Sequence, residues 1–390
     1  MTELVEKAIN SVNKGVTSFC KFITANDTGE TGAHQEGFYI PKAAYSLFFD
    51  KQGLRGNNEE NFVKIKWQDD FETDSRAIYY GQGTRNEYRL TRFGKGFPLL
   101  QEEYTGGLLI ITKLEDSYYK AFILNDEDDI EYFLDNFGMS PVDTNALIAT
   151  EETSLSITAE AIIEQFMKNL SNTFPETLRI ANAAREIAGQ LHKINPQRIL
   201  TAPDRVLVDW IHTEYELFKK IETHYYTPQI SQAFNSVGEF IDLANTILNR
   251  RKSRAGKSLE HHLDVIFTTY GLKFSHPGRT EGYKKPDFIF PGNDQYHDVT
   301  FSQKNLVFLG AKTTCKDRWR QILNEADRIN NKHLFTLQQG ISKNQLKEMY
   351  DSNVILVIPE AYISSYPVEY QEKILSLKNF LSSVHERQAI

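Results

Sequence analysis

Three side chains in the C-terminal half of the chain have the types needed to hydrolyse a phosphodiester. Asp287 enters the apolar run FIF, and 25 residues later Lys312 closes the run LVFLGAK. Hydrolysis of this kind uses carboxylates that hold a divalent metal, whose bound water becomes a nucleophile, and a cation near the scissile phosphate. We expect Asp287 and Lys312 to lie at the same edge of neighbouring strands, where both can reach one phosphate.

A metal site at Asp287 would need at least one further acid. Nucleases that hydrolyse a phosphodiester with a bound metal usually carry an acid two residues before the lysine. Gly310 occupies that position here. Glu325 is predicted to lie on the next helix, on one face with Arg318, and to supply the missing carboxylate. Glu260, expected near the start of a helix, is a further candidate. Mg²⁺ usually takes one or two protein carboxylates and leaves its other positions to water and phosphate, so Mg²⁺ is the expected cofactor.

Residue types alone leave a second interpretation of these side chains open. An aspartate at the start of a strand and a lysine at the end of one are often solvated caps. A single glutamate such as Glu325 is more often an ordinary residue of a helix surface.

The charged triplet Lys316-Asp317-Arg318 follows the lysine strand directly. At the start of a helix these side chains can enter a major groove together, where Arg or Lys donates to guanine O6 and N7 and Asp accepts from cytosine N4. Such a triplet would recognise about two adjacent G·C pairs. A two-fold dimer would recognise them on both strands, which gives a palindrome with CC and GG around a centre. The alternative is a salt-bridged helical turn.

The elements that must position these residues change character along the chain. Up to about residue 150, aromatic and β-branched runs such as FYIPKAAYSLFF, NFVKIKW, RAIYYG, GGLLIITKL and YYKAFIL predict a β-barrel or sandwich. Beyond residue 173, amphipathic helices are followed by alternating strands and helices, which predicts an α/β domain with a central mixed sheet. We therefore predict domains at 1–150 and 173–390, joined by a linker at 151–172.

Charge is strongly segregated in this chain of 390 residues, whose formal net charge is −8. The stretch 115–143 carries nine acids and one lysine, whereas 250–285 carries nine Lys or Arg. An acidic protein with concentrated basic segments favours specific DNA contact over indiscriminate coating of polyanions. The two cysteines have no ligand or disulfide spacing, and no apolar run is long enough to span a bilayer. These features predict a cytoplasmic protein without a membrane anchor.

Longer segments resemble EcoRII-type restriction endonucleases. The resemblance is carried by NRRKSRAGKSLE (249–260), KKPDF (284–288) and AKTTCKDRWRQILNEAD (311–327) followed by HLFTLQ. It implies a PD-(D/E)XK nuclease domain that acts as a homodimer and cleaves double-stranded DNA at CCWGG-like sites, W being A or T. The positions matching the family's catalytic and base-reading residues are Asp287, Lys312, Glu325, the additional acid Glu260, a nearby tyrosine Tyr296, and Lys316, Asp317 and Arg318.

The same resemblance implies that the nuclease domain extrudes the central bases of its site. Lys252 and Tyr215 match positions around the pocket for the extruded bases. Where the family carries an arginine four residues before Tyr215, this chain has Ile211. The preference for the central base pair therefore need not follow the family.

The N-terminal half resembles the effector domain of the same family, a DNA-binding pseudobarrel with two arms that hold a second copy of the site. The resemblance lies in NDTGETGAHQEGFYIP (26–41) and RAIYYGQGTRNEYRLTRFG (76–94). The residues that match the two arms are His34, Tyr39, Arg85, Glu87 and Arg89. Gly83 and Tyr88 stand where the family has lysines, and the loss of two cations should weaken contacts to DNA. The alternative for His34 and Tyr39 is packing within a barrel loop.

Two other classes of function compete with a nuclease. A repressor-like protein that binds a specific DNA sequence without cleaving it would use the same basic triplet and the same arms. It would not need Asp287, Lys312 and Glu325 together. A metal-dependent hydrolase of nucleotides would need those three residues, but not the triplet or the second DNA-binding half.

Overall fold

The computed structural model describes residues 2–30, 37–148 and 157–389. The helices of the N-terminal part are Glu3–Lys14 (α1) and Glu127–Asn136 (α2). Its strands are Thr17–Phe22 (β1), Phe38–Ile40 (β2), Glu59–Trp67 (β3), Glu72–Tyr80 (β4), Glu87–Thr91 (β5), Leu108–Glu115 (β6), Tyr118–Leu124 (β7) and Ala146–Ile148 (β8). Short 3₁₀ turns lie at Lys42–Leu47, Pro98–Leu100, Glu102–Tyr104 and Pro141–Asp143.

The eight strands form one curled sheet in the order β2-β5-β4-β3-β7-β6-β1-β8. β3 and β7 pair in parallel, and the other neighbours are antiparallel. Aromatic side chains fill its inside around Trp67, which contacts the rings of Phe71, Phe93 and Phe97. The predicted β-domain is therefore confirmed, and it is a pseudobarrel.

Two local predictions in this domain need correction. The run FYIPKAAYSLFF is a strand only over Phe38–Ile40, because Pro41 lacks an N–H and the residues after it form a 3₁₀ turn. The acidic segment contains an unpredicted helix, α2. Asp126 caps that helix by accepting hydrogen bonds from the amides of Asp128 and Asp129.

The C-terminal part is mostly helical before its sheet begins. Its helices are Ile157–Met167 (α3), Thr177–His192 (α4), Pro196–Thr201 (α5), Pro203–Ile230 (α6), Val237–Thr269 (α7), Asn293–His297 (α8), Lys343–Asp351 (α9), Val368–Gln371 (α10) and Leu377–Gln388 (α11). Its 3₁₀ turns are Glu281–Tyr283, Gln303–Asn305, Arg318–Asn324 and Glu360–Ser365. α3 lies inside the predicted linker, and Ile163 packs it into a cluster with Ile180 and Phe218.

A five-stranded mixed sheet forms the centre of this part. Its strands are Phe288–Phe290 (β9), Val307–Lys312 (β10), Lys332–Thr336 (β11), Val354–Ile358 (β12) and Leu375–Ser376 (β13). They lie in the order β13-β12-β11-β10-β9, with β9 antiparallel to β10 and the other pairs parallel. Apolar clusters cover both faces, as expected for a sheet between helices. The predicted α/β domain with a central mixed sheet is confirmed.

Two helix predictions around the site are wrong in detail. Glu260, expected near the start of a helix, lies in the second half of α7, which is continuous from Val237 to Thr269. The segment after Lys312 forms only the 3₁₀ turn Arg318–Asn324. None of the helices in the described part of the chain combines the length and apolarity needed to cross a bilayer.

Candidate nuclease site and the helix that covers it

Asp287 and Lys312 meet at one edge of the central sheet. Phe288 pairs with Leu309 in the antiparallel register, so the start of β9 lies beside the end of β10. The Ala311 amide donates to Asp287 Oδ2 over 2.7 Å, and Lys312 Nζ lies 3.9 Å from the same oxygen. Both side chains remain partly open to solvent, at 21% and 36% exposure. A phosphate at this edge can therefore reach both.

Glu325 joins them from an extended residue rather than from a helix face. It follows the 3₁₀ turn with φ −104° and ψ 147°. Burial raises the pKa of Glu325, and the Asp287 carboxylate adds to the rise, whereas Lys312 opposes it. Burial also raises the pKa of Asp287, against the pull of Lys312. Asp287, Glu325 and Lys312 therefore act on one another electrostatically.

Packing explains why the acid is missing from its usual position two residues before Lys312. A Cβ on Gly310 would lie 3.0 Å from Ile322 Cγ2 and 3.6 Å from Leu334 Cδ1. A carboxylate at position 310 would therefore point into apolar side chains instead of toward the site. Glu325, three residues after Ile322, supplies the charge from the other side of this contact.

Glu260 contacts a histidine beside these acids. Its Oε2 lies 2.8 Å from His276 Nε2, and the hydrogen bond is the main cause of a raised His276 pKa. Glu260 still influences Asp287, because its charge is among the causes that raise the Asp287 pKa. The sequence interpretation did not identify His276.

The carboxylate oxygens of this site are ligands that suit a hard divalent cation, but the described side chains do not form a complete coordination shell. Among the described residues, no three His, Cys, Asp or Glu side chains are grouped closely enough to hold an ion. Burial raises the pKa values of both Asp287 and Glu325, and for Glu325 repulsion by the Asp287 carboxylate adds to the rise. A cation between them would relieve that repulsion, and oxygen ligands of this type suit Mg²⁺.

The hydrogen-bond partners of Tyr296 are residues other than the acids of the proposed site. It is buried, and its hydroxyl donates to Glu281 Oε1 over 2.5 Å. The Arg328 amide donates to the same hydroxyl over 3.2 Å. Tyr296 thus ties the 3₁₀ turn before β9 to the chain after Glu325, and the structure gives it no hydrogen bond to Asp287 or Lys312.

The triplet predicted to read bases, Lys316-Asp317-Arg318, is covered by α2 of the pseudobarrel. Glu127 Oε2 accepts the amides of Asp317 and Arg318, at 2.5 and 2.8 Å. Arg318 forms ion pairs with Asp128 and, over 2.7 Å, with Glu131. The main-chain and side-chain donors of this segment are therefore satisfied by carboxylates of the other domain.

Lys316 is enclosed even more completely. It is 4% exposed, donates to Asn125 Oδ1, and has a pKa that burial lowers to about 8. Thr314 donates to Glu127 and Glu131 at 3.1 and 2.9 Å. Free contact between these residues and a DNA groove requires α2 to move away.

A cavity of about 200 Å³ remains beneath α2. Its lining includes Glu131 and Asp135 from α2, Lys252 and Glu260 from α7, and Lys312. It therefore connects the predicted extruded-base residue Lys252 with the catalytic edge. Space of this size is below that of ordinary small-ligand pockets, so a duplex cannot enter while α2 stays in place.

Tyr215, the other predicted residue of the extruded-base pocket, faces the pseudobarrel. It is buried in an apolar cluster with residues such as Val12 and Phe133. Its hydroxyl donates to the Phe137 carbonyl over 3.3 Å. Ile211, where the family has an arginine, packs in the core of the nuclease domain.

Three of the predicted arm residues lie together on the pseudobarrel. Tyr39 on β2 pairs in register with Arg89 on β5, and Arg89 Nε donates to Glu87 over 3.0 Å. Arg85 is exposed on the preceding turn, with its guanidinium 5.0 Å from the centre of the Tyr80 ring. His34 falls outside the described residues. Tyr88 is buried, and its hydroxyl accepts from the Gly53 amide.

The base of the first arm is fixed by an ion pair that the sequence interpretation missed. Lys21 and Asp27 are buried and lie 2.6 Å apart. Asp27 also accepts from the amides of Thr24 and Tyr39. Lys21 and Asp27 are six positions apart in the sequence. This spacing does not match the helical period, so the pattern did not predict that the two charges pair.

Comparison with known proteins agrees with this two-part architecture. The family described as "Restriction endonuclease EcoRII, N-terminal" matches residues 12–150, and "EcoRII C terminal" matches residues 218–381. The type II restriction enzyme EcoRII of Escherichia coli is 37% identical over 383 residues, which covers 94% of this chain and 93% of that enzyme. The type II restriction enzyme SsoII of Shigella sonnei is 27% identical over 155 residues, 37% of this chain and 50% of that enzyme.

Among solved structures, the chain is similar to metal-depleted Ecl18kI in complex with uncleaved, modified DNA. The TM-score is 0.48 at 21% identity, over 60% of this chain and 85% of that one. A complex of the restriction endonuclease PspGI with substrate DNA gives a TM-score of 0.46 at 16% identity, over 57% of this chain and 97% of that one.

A DNA-binding pseudobarrel joined to a mixed-sheet nuclease domain defines a two-domain, site-specific deoxyribonuclease. Identity of 37% over nearly the whole length of both proteins is decisive for its family. The chain belongs to the EcoRII family of type II restriction enzymes.

Proposed function

We propose that this enzyme cleaves both strands of CCWGG-like sites by Mg²⁺-dependent phosphodiester hydrolysis. The observation that best supports the proposal is the 3.9 Å approach of Lys312 to Asp287 at one sheet edge, with the triplet Lys316-Asp317-Arg318 following Lys312 in the chain. Electrostatic interaction with both residues adds Glu325 to the proposed site. Because the triplet follows Lys312 within a few residues, the proposed reaction would take place beside the bases that the triplet would recognise.

Each residue of the site has a separate part in this reaction. Asp287 and Glu325 would hold Mg²⁺, with Glu260 as an additional acid. The bound ion supplies an activated water and neutralises charge on the phosphate. The Lys312 ammonium, 3.9 Å from Asp287, stabilises the negative charge that develops on the phosphate oxygens. Tyr296 supports this arrangement from behind by fixing the chain around residue 328.

Sequence recognition is assigned to the triplet and to the residues under α2. Lys316 and Arg318 would donate to guanine edges, and Asp317 would accept from cytosine N4. Lys252 and Tyr215 would contact the extruded central bases. With Ile211 buried in the core, these two residues would form the pocket without the family's arginine.

The nuclease is proposed to act as a homodimer, since a palindrome is read most simply by two copies of one triplet. The junction of α6 and α7 supports this proposal with exposed apolar side chains that a second copy of the chain could cover. They are Ile230, Val237, Phe240 and Ile241.

The pseudobarrel is proposed to bind a second copy of the site as an allosteric effector through His34, Tyr39, Arg85, Glu87 and Arg89. α2 belongs to this domain and occupies the place of DNA on the triplet, with Glu127, Asp128 and Glu131 as acceptors. Because the α2 carboxylates and the guanine edges are both acceptors, DNA and α2 would compete for the same donors. Effector binding would activate the enzyme by shifting the balance toward the uncovered state.

The proposed domain limits are 1–150 and 173–390, with a linker at 151–172, of which α3 packs on the nuclease part. Both cysteines, Cys20 and Cys315, are buried and unpaired. Free buried thiols suit a reducing compartment, and we propose a cytoplasmic enzyme.

Digestion of a plasmid carrying several CCWGG sites, with 5′ and 3′ ends sequenced afterwards, tests the proposed function. Asp287→Ala should lower the cleavage rate by about three orders of magnitude, because metal binding and charge stabilisation fail together. Binding to the same DNA in Ca²⁺ should persist. Asp294→Asn, an exposed acid on α8, is the matched control and should cleave normally. Absence of cleavage of any CCNGG plasmid, or full activity in Asp287→Ala, would refute the proposal.

A further inference from the structure

His276 connects the additional acid Glu260 with a second carboxylate on the same helix. Its Nε2 lies 2.8 Å from Glu260 Oε2, and its Nδ1 lies 3.2 Å from Asp264 Oδ2. Glu260 and Asp264 are four residues apart on α7, so they are neighbours on one helix face. One ring therefore spans two adjacent carboxylates, and in its protonated form it can donate an N–H to each.

The same histidine is attached to the strand that presents Asp287. Its neighbour Ser275 exchanges two main-chain hydrogen bonds with Ile289, of 2.9 and 3.2 Å. The His276 ring stacks on Phe288, with 4.4 Å between ring centres and an angle of 26°. Phe288 directly follows Asp287. His276 thus links α7 to the catalytic strand through both its main chain and its ring.

This link restricts a side chain that would otherwise be mobile. Glu260 is 30% exposed and has three rotatable bonds, whereas His276 is 16% exposed and held on two sides. Hydrogen bonds to a metal-binding carboxylate set its orientation, and their loss typically lowers metal affinity or activity 10- to 100-fold. The link therefore determines where the Glu260 carboxylate lies relative to Asp287.

We propose that His276 is a positioning residue that holds Glu260 in the orientation from which it completes the metal site. The inference rests on the proposed Mg²⁺-dependent cleavage. It assigns Asp264 an outer role, since Asp264 contacts the far side of the ring and fixes its plane.

The test compares His276→Ala with His276→Gln, because a glutamine amide can still donate to Glu260 but not to both carboxylates. Single-turnover cleavage of CCWGG DNA is measured against Mg²⁺ concentration. We expect His276→Ala to raise the half-saturating Mg²⁺ concentration about tenfold. The rate at saturating Mg²⁺ should stay within about threefold, and His276→Gln should recover most of the loss. Asp264→Asn should show a smaller shift in the same direction.

A second measurement is independent of cleavage. Mn²⁺ binding to the enzyme–DNA complex, followed by the paramagnetic resonance of free Mn²⁺, should weaken by a similar factor in His276→Ala. His297→Ala is the matched control, because His297 is exposed and its ring contacts the Arg279 carbonyl and the ring of Tyr296. Thermal unfolding of each variant separates loss of positioning from loss of fold.

Unchanged Mg²⁺ and Mn²⁺ dependence in a folded His276→Ala variant would overturn the inference. Equal losses in the Ala and Gln variants, together with a lowered unfolding midpoint, would also overturn it in favour of a merely structural role. If the wild-type enzyme cleaves no CCNGG DNA, the proposed function fails, while the Mn²⁺ comparison still decides the role of His276.

Discussion

Two regions of this enzyme carry side chains suited to DNA bases, yet the structure treats them in opposite ways. The triplet of the nuclease domain is covered, with Lys316 only 4% exposed and Arg318 paired with Asp128 and Glu131. On the pseudobarrel, Arg85 is exposed and contacts only the ring of Tyr80 among the described residues. DNA can therefore approach Arg85 directly, whereas the triplet becomes available only after α2 leaves. Arg89 of the same arm is as buried as Lys316, so the open part of the pseudobarrel is the turn that carries Arg85.

The difference gives a physical meaning to the segregation of charge in the sequence. The acidic stretch at 115–143 contains α2, whose carboxylates satisfy donors that would otherwise face phosphate or base acceptors. Burial raises the pKa of Glu127, and the amides of Asp317 and Arg318 oppose that rise. Carboxylates held in this way imitate the acceptors of DNA at the cost of their own desolvation. Such an interface can be displaced by a stronger polyanion.

The largest expected effect comes from removing a reading side chain. Arg318→Ala should lower cleavage of a multi-site plasmid about 10- to 100-fold, because a good bidentate base contact contributes about 1–3 kcal/mol of discrimination. Arg320→Ala is the control, since Arg320 pairs with Glu348 at the surface, and it should cleave within about twofold of wild type. Initial rates on matched and single-mismatch sites give the measurement. If Arg318→Ala and Arg320→Ala lost the same amount of cleavage activity, Arg318 would have no special part in recognising bases.

Uncovering the triplet should have a smaller effect of the opposite sign. In the double variant Asp128→Asn and Glu131→Gln, cleavage of DNA with a single site should rise about five- to tenfold, because two ion pairs to Arg318 are lost. The exposed position of Asp128 limits its share. Asp116→Asn, from the same acidic stretch but paired only with Lys113, should change nothing. If the double variant keeps wild-type dependence on a second site, α2 is not the covering element that matters.

The smallest effect is expected on the open region. Arg85→Ala should weaken binding of CCWGG DNA to the pseudobarrel by up to about tenfold at constant salt, leaving the rate of the catalytic step unchanged. Fluorescence anisotropy of labelled DNA, with the catalytic variant Asp287→Ala as background, separates binding from cleavage. Arg179→Ala, an exposed arginine on α4, serves as control. A drop in the cleavage step itself would place Arg85 at the nuclease site instead.

Much of the candidate site was predictable because its signals are local. Pro286-Asp287 before an apolar run and Lys312 at the end of another predicted two neighbouring strand ends, and the antiparallel register brings them to 3.9 Å. The strands of both sheets likewise follow from runs of aromatic and β-branched residues. Glu325 was proposed as the further acid from its position 13 residues after Lys312 in the sequence. The helix predicted to carry it is absent. The segment 318–324 forms a 3₁₀ turn, and the seven-residue helical spacing does not apply.

What was missed depends on contacts between distant parts of the chain. His276 meets Glu260 only because the loop after α7 returns along the helix to β9. The spacing of residues in the sequence does not predict that this loop runs back along α7. The acidic residues of α2 were visible as a charge run, yet only the docking of the two domains shows which donors they satisfy.

The sequence by itself predicted the two-domain composition, several strands of each sheet, and the acids, lysine and charged triplet proposed to act on DNA. Hydrophobic periodicity and residue type suffice for these, because they act over a few residues. Only the tertiary structure decided that Gly310 has no room for an acid, that His276 holds Glu260, and that α2 covers Lys316 and Arg318. These outcomes depend on packing and charge pairing between segments far apart in the chain, which no local pattern encodes.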